Sequence, residues 1–554
     1  MIAVIANSSE HAVVREFFEL FKTPWEFYRS SQQYEVLLCA GDGNFDESTA
    51  KLVLVYAGHK LPYDAVEKIE IASQEKNARM LSYEGSRIPI YGHSLTFRQQ
   101  VGVLVDEESR ESGLQRQQSR GSEVVRIGYD IFSEVRALLT AGQPVANAES
   151  PTLELHIAIL RDLIVASGVR LIEIPPVPAG YRFTACLTHD VDHPSIRRHK
   201  FDHTMFGFLY RAILGSLFDV LRERAPLRNL WINWAAALKL PLVHLGLAKD
   251  CWLELDRYVK IEDGLPSSFF VIPFEGRPGR SHRGPAPSHR GARYGAADIT
   301  GQLEKLRSAG CEVGLHGIDA WFDTSCAREE LEQIRQITGK QEVGVRMHWL
   351  YFDDQSPVTL ENAGADYDST FGYNETVGYR AGTTQAFKPL GTTRLIELPL
   401  HVMDTALFFR SYLDLSPRAA SQRVGYMIDN AVQFGGSVTV NWHDRSIAPE
   451  RLWGDFYADL VGVLKSRGAW FATSGQAVSW FRKRRSASFE HISWESGALR
   501  VTIALEAGDR LPDLQLRVHN GGAPHQNTVI SVLSSERPGD LSQKHTIDAC
   551  VALS

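Results

Sequence analysis

The chain has 554 residues, 44% hydrophobic and 23% charged, with a formal net charge of −7. That is ample for several packed cores at roughly 100–200 residues per domain, while the acidic balance argues against a nucleic-acid partner. No run of about 18 uninterrupted apolar residues marks a transmembrane segment, and six scattered cysteines without a C-x-x-C favour reduced thiols and a cytoplasmic chain.

Met1 to Asn7 lacks a basic leader and reads as a first strand rather than a signal peptide. Across residues 1–145, short apolar runs at 2–6, 35–40 and 51–56 predict strands and 12–21 an amphipathic helix, the pattern of a small α/β domain. No glycine-rich phosphate loop follows these strands, so nothing supports a nucleotide site. The stretch 106–122, rich in Glu, Ser, Arg and Gln, reads as an exposed loop. Helical patterns at 129–141 and 151–167 lead through a helical linker, 146–180, to the prolines Pro175, Pro176 and Pro178.

From 181 to about 480 the pattern becomes repeated strand-then-helix units. Strands are predicted at 183–187, 268–272, 312–315, 343–346, 396–398, 437–441 and 470–473, with helices such as 298–309 and 327–338 between them. Such units imply right-handed parallel connections. Seven of them suggest a closed barrel over 181–485, with its chemistry at the carboxyl ends of the strands. Residues 204–247 carry many Leu, Phe and Trp interrupted by Arg211, Asp219, Arg222, Arg228 and Lys239. They read as amphipathic helices packed on the domain, with peripheral membrane contact as the alternative.

The loop 275–294 holds Arg277, Arg280, Arg283, Arg290 and Arg293, and is either a solvated loop or a lid that attracts an anionic glycan or a phosphate-linked carrier. The run Arg482, Lys483, Arg484, Arg485 reads as a solvated helix end. Beyond it, 486–554 alternates apolar and polar residues at 490–494, 499–505, 514–518 and 528–533, predicting a small C-terminal β module.

The first repeat strand runs into Thr188-His189-Asp190-Val191-Asp192. Residues two apart on a strand face the same way, so Asp190 and Asp192 share a pocket if the extended geometry persists. Two close carboxylates need a cation or hydrogen bonds to be ionised together. A metal-bound pair, with one ligand and one base, satisfies that; so does a solvated strand end whose Asp residues cap the next segment. Polar residues recur at later strand ends: His316, Asp319 and Asp323 after the third, Arg346, His348 and Trp349 at the fourth, Asn441, His443 and Asp444 at the sixth.

In this order the motifs resemble those of the polysaccharide deacetylases of the NodB-homology family, metal-dependent hydrolases on an irregular (β/α)7 barrel. The resemblance covers about 181–480. It implies Asp190 as general base, Asp192 and His316 as metal ligands, Arg346 as the residue that pairs with and orients the base, and His443 as general acid toward the leaving amine. The family's second metal histidine, four residues after the first, is here Ala320. Asp319 is the expected substitute, with Asp323 beside it and His348, His193 and His189 as outside candidates. An Asp-His-Asp set suits Zn²⁺, which accepts nitrogen and oxygen donors.

The expected activity is therefore hydrolysis of an N-acetyl amide on an amino sugar, in a surface polysaccharide or its precursor. The alternatives are a non-catalytic glycan-binding or assembly protein that keeps the barrel, and a deacylase of a non-sugar amide. Trp321, Trp349, Tyr351 and Trp442 beside the motifs fit either sugar stacking or core filling.

Overall fold

The computed structural model describes residues 1–41, 50–98, 102–119, 121–222, 225–495, 498–505, 511–522, 527–533 and 544–549. Its centre is a parallel sheet of nine strands: β1 Phe183–Val191, β2 Ser267–Val271, β3 Glu312–Gly317, β4 Val345–Met347, β5 Tyr367–Asp368, β6 Ile396–Glu397, β7 Val402–Met403, β8 Ser437–Asn441 and β9 Ala469–Phe471. The spatial order is β6-β5-β4-β3-β2-β1-β8-β7. β9 lies along the first residues of β1, Phe183 to Ala185, and β2 takes the same side from Leu187 to Val191.

The edge strands β6 and β7 are consecutive in the chain and do not pair with each other. The sheet therefore curls into a distorted, incompletely closed barrel. The connection between its edges is stitched on both sides, Leu398 N to Asp368 O at 2.8 Å and His401 N to Thr439 O at 3.1 Å. Seven strands fall where the hydrophobic pattern places them. β5 and β7 are two residues each, too short to generate any period. Helices such as Thr324–Thr338, Pro417–Phe434 and Gly454–Ser466 bury apolar stripes against the sheet's outer face.

The N-terminal region is an α/β sheet ordered Leu114–Ser119, Ser122–Ile127, Leu52–Tyr56, Val36–Ala40, Ile2–Ile5, Trp25–Phe27. The expected loop at 106–122 is a turn over 107–113, but Leu114–Ser119 pairs antiparallel with Ser122–Ile127. The polar residues of 114–119 mark an edge strand rather than a continuation of that loop. Helix Thr152–Ala166, within the expected linker, is buried in the N-terminal core, which also takes in Phe371 and Phe387 from the barrel.

Small antiparallel sheets close the C-terminal side. Ser488–Glu495, Ala498–Ala504 and Lys544–Ala549 form one, and Leu514–His519 pairs with Asn527–Leu533 and with Leu171–Glu173 from the linker. Cys550 lies outside the described residues. The basic run at 482–485 is no solvated helix end. Arg484 is buried and donates to the carbonyls of Ile174 (2.9 Å) and Leu20 (2.9 Å), and Arg485 pairs with Glu16 at 2.8 Å. The positive charges sit where the last barrel helix meets the N-terminal region, exchanging water for carbonyl and carboxylate partners.

Candidate metal and acid–base site

Asp190 and Asp192 stand at the carboxyl end of β1 and both line a cleft of about 390 Å³. Alternation along the strand turns His189 the other way: its Nε2 lies 2.7 Å from Glu262 Oε1 and its Nδ1 2.9 Å from the Trp442 carbonyl, in the barrel wall. This removes His189 from the ligand candidates.

Asp190 is buried and held from three directions. Asn441 Nδ2 donates to its Oδ2 at 2.7 Å, its own N donates to Asn441 Oδ1 at 3.2 Å, and Arg346 Nη1 reaches its Oδ1 at 3.4 Å. Arg346 is fully buried, stacked 4.7 Å over Phe270, and its remaining donors go to Thr188 Oγ1 (2.7 Å) and to Ser369 O and Oγ (2.9 and 2.8 Å). A guanidinium fixed this rigidly orients the carboxylate it faces.

Asp192 sits among imidazoles. Its Oδ1 is 3.3 Å from His316 Nε2 and 3.6 Å from His348 Nε2, and its Oδ2 is 3.8 Å from His443 Nε2. Burial raises the Asp192 carboxyl, but the surrounding imidazoles, His316 first, outweigh it and hold the carboxyl well below its ordinary value. Asp192 Oδ1 is nevertheless buried without a hydrogen-bond donor aimed at it among the described residues. An orphaned buried carboxylate oxygen calls for a cation.

The donor set fits one. Asp192, His316 and His348 each offer one ligand atom, all within 4.8 Å of one another. Tetrahedral ligand bonds of about 2.0–2.1 Å place donors roughly 3.3–3.4 Å apart, close to the separations around Asp192. His316 Nδ1 donates to the Arg346 carbonyl at 3.0 Å, which turns Nε2 toward the cluster, where it would ligate in its neutral form. Burial pushes His348 down to about 4, so its imidazole is neutral and free to ligate. Two nitrogens and one carboxylate are an ordinary set for Zn²⁺ or a similar divalent ion, with a coordination position left open.

The expected third ligand, Asp319, is elsewhere. Its Oδ1 accepts from Arg280 N at 2.7 Å while its N donates to Glu330 Oε1 at 2.8 Å. Glu330 also accepts from Ile318 N at 2.8 Å, so the turn after β3 is pinned to the helix below it and carries Asp319 away from the cleft. Asp323 caps that helix through Ser325 N and Cys326 N, each 2.9 Å. Ala320 is fully buried, its Cβ 3.3 Å from where a Cβ on Gly317 would stand. His348, one strand over, instead places an imidazole nitrogen beside Asp192 and His316. His193 lines the cleft but lies outside the three-donor group, its Nδ1 3.2 Å from His199 Nε2.

His443 faces the cluster from the end of β8. Its orienting carboxylate is Asp404, which the sequence reasoning missed: Asp404 Oδ1 is 2.6 Å from His443 Nδ1, and Oδ2 accepts from His443 N at 2.7 Å and from the Ser446 hydroxyl. Asp404 follows β7, and that two-residue strand gave no pattern by which to place it. Asp444, the neighbour in sequence, instead accepts from His193 N at 2.8 Å. Burial disfavours the charged His443 ring, but Asp404 above all overcomes this and raises it to about 9. His443 is thus an imidazolium at neutral pH, directed at the same space as Asp190.

Arg290, Arg445 and Arg451 line the same cleft. Arg290 lies 4.7 Å over the half-exposed ring of Trp349 at the rim, and Arg445 lies 4.8 Å over Trp252. Trp442, by contrast, is core, stacked on Phe456 and Tyr457.

No protein-family model matches this sequence, and no curated protein matches it. Among solved structures the chain is similar to a proposed polysaccharide deacetylase from Mycobacterium smegmatis, at 18% identity over 56% of this chain and 95% of that one, with a TM-score of 0.33. It is also similar to the Xyl-CE4 domain of a multidomain xylanase from the hindgut metagenome of Trinervitermes trinervoides, at 12% identity over 53% and 89% with a TM-score of 0.23. A proposed glycoside hydrolase/deacetylase from Parabacteroides distasonis matches at 12% identity over 69% and 92%, with a TM-score of 0.30. Likeness at this level leaves the chemistry to be read from the side chains.

Proposed function

We propose that this chain is a metal-dependent hydrolase that removes an acetyl or related acyl group from the nitrogen of an amino sugar, in a surface polysaccharide or its precursor. The observation that carries the reading is the meeting, in one cleft, of a buried oriented carboxylate (Asp190), a three-donor metal group (Asp192, His316, His348) and a carboxylate-backed imidazolium (His443). The order of the strand-end motifs, which resembles that of the polysaccharide deacetylases, supports the amino-sugar substrate. So does the half-exposed Trp349 at the rim, a surface on which a sugar ring stacks.

Asp192, His316 and His348 would hold a divalent ion, which would supply Lewis acidity toward the acyl carbonyl and the attacking water. The chain's own groups do the rest. Asp190, aimed by Arg346 and Asn441, takes the proton of the attacking water. His443 passes its Nε2 proton to the departing amine and is recharged from solvent, while Asp404 fixes Nδ1–H and stabilises the ring's positive charge throughout.

That division of labour sets a pH dependence. Acyl release needs protonated His443, so the rate falls as pH rises through its pKa. Asp404→Asn removes the nearest charge that raises it. The alkaline limb of kcat should therefore move to lower pH by about one unit or more, judged against wild type at equal metal content. An unmoved limb would take the acid role from His443.

The reading itself is tested by metal analysis of purified protein and by amine release from N-acetylated amino-sugar oligomers beside simple acetamides. The expected result is one divalent ion per chain, lost in Asp192→Ala, and turnover of the sugars in preference to the acetamides. Protein without stoichiometric metal would overturn the hydrolase reading, and equal turnover of simple acetamides would overturn the sugar.

A further inference from the structure

Residues 201–247 do not behave like the surface of the rest of the chain. Of the twenty-two large apolar side chains exposed among the described residues, thirteen fall in this one segment. Isolated exposed apolar residues are ordinary, but a contiguous set marks an interaction surface.

The segment is a helical hairpin. Its first arm runs from His203 through a π turn, Arg211–Gly215, to Leu221, and its second is Leu227–His244. Each arm is apolar on two faces. Inward, Met205, Phe208 and Ala212 with Leu240 and Val243 pack on Trp252 and Ala448 of the barrel. Outward, the first arm exposes Phe206, Tyr210, Leu214, Phe218 and Leu221, a continuous stripe at helical spacing. The second exposes Leu227, Trp231, Leu238 and Leu242 in the same way, with Leu238 at 81% and Trp231 at 64% exposure.

The charge of the segment runs against that of the chain. Residues 201–247 hold five Lys and Arg against three Asp and Glu, in a chain with a net charge of −7. Lys200, Arg222, Arg228 and Lys239 are exposed and have no carboxylate partner within 4.0 Å among the described residues. Asp219 is spent on Arg410 at 2.7 Å. A bulky apolar face with aromatic residues and unpaired basic side chains around it complements an anionic lipid surface.

The hairpin also stands at the mouth of the cleft. His203, the first residue of its first arm, lines the cleft, and Arg410 ties the hairpin to the segment carrying Phe409 and Tyr412 into it. The first arm is long and apolar enough to cross a membrane by length and composition. Its inner face is fastened to the barrel, so it is placed to lie on a bilayer rather than span it.

We infer that the 201–247 hairpin docks this protein on an anionic bilayer surface with the cleft facing the interface. The inference rests on none of the catalytic or metal-binding residues, so it stands or falls apart from the proposed activity.

The test is co-sedimentation of the full chain with phosphatidylcholine vesicles, with and without phosphatidylglycerol, alongside light scattering without lipid. Wild type should be monomeric and sediment with the anionic vesicles, less so as salt is raised. Trp231→Glu with Leu238→Glu should lower the bound fraction about tenfold or more. Arg228→Glu with Lys239→Glu should abolish the preference for anionic over neutral vesicles. Both pairs are exposed, so unfolding temperature should not move. Wild type that stays in the supernatant overturns the inference. So does a dimer without lipid that the Trp231/Leu238 variant dissolves, which would assign the face to a second copy of this chain.

Discussion

Asp190→Asn is expected to lower the rate of acyl release by roughly 10²–10⁴-fold, the usual contribution of a positioned general base, with metal content unchanged. The substitution preserves shape and removes proton-accepting capacity. Asp190 also stands apart from the metal group: its nearest approach to His316 Nε2 is 3.9 Å, against 3.3 Å for Asp192. The amide has one acceptor oxygen where the carboxylate has two, so Asn441 Nδ2 and Arg346 Nη1 cannot both be satisfied. A fully buried guanidinium then loses part of its compensation, and a drop in unfolding temperature is expected alongside the lost rate. Metal content and unfolding temperature, measured on the same preparation, separate the outcomes. Retained turnover would take the base role from Asp190. Metal lost together with activity would make Asp190 a ligand.

Much of this arrangement is visible in the sequence wherever one strand decides it. Asp190 and Asp192 share a face because a strand alternates, and the same alternation sends His189 into the wall. His316, Arg346 and His443 each follow an apolar run long enough to recognise. What pattern does not reach is set by neighbours distant in the chain. Asp404 meets His443 because β7 pairs with β8, Val402 against Val440, and a two-residue strand carries no period. The basic run at 482–485 looks like a solvated helix end by composition, yet Arg484 is buried because the carbonyls of Leu20 and Ile174 converge on it. Asp319 follows β3 as a ligand might, but its direction is set by Glu330, eleven residues on in the next helix.

The largest consequence of that last point concerns His348. His348→Ala should weaken divalent-metal affinity by more than about 100-fold and abolish acyl release under limiting metal. Loss of a partner that only orients a ligand already costs about 10–100-fold, and loss of a direct nitrogen donor costs more. The backbone around His348 is spent on this placement. Trp349 and Leu350 both adopt left-handed conformations, at φ 65° and 50°, which costs roughly 1–2 kcal/mol for each non-glycine residue. Asn374 Nδ2 holds the turn by donating to the Trp349 carbonyl at 2.9 Å. Such strain persists where the surroundings over-determine it. Here it turns the chain sharply after β4, with His348 Nε2 toward Asp192 and Trp349 at the rim. Asp319→Ala is the paired measurement. Its carboxylate faces Arg280 N, so metal affinity should match wild type. Equilibrium dialysis of both variants against Zn²⁺ decides between the two residues. Metal retained in His348→Ala and lost in Asp319→Ala would return the third ligand to the turn after β3, and would require that turn to release Glu330 when the ion binds.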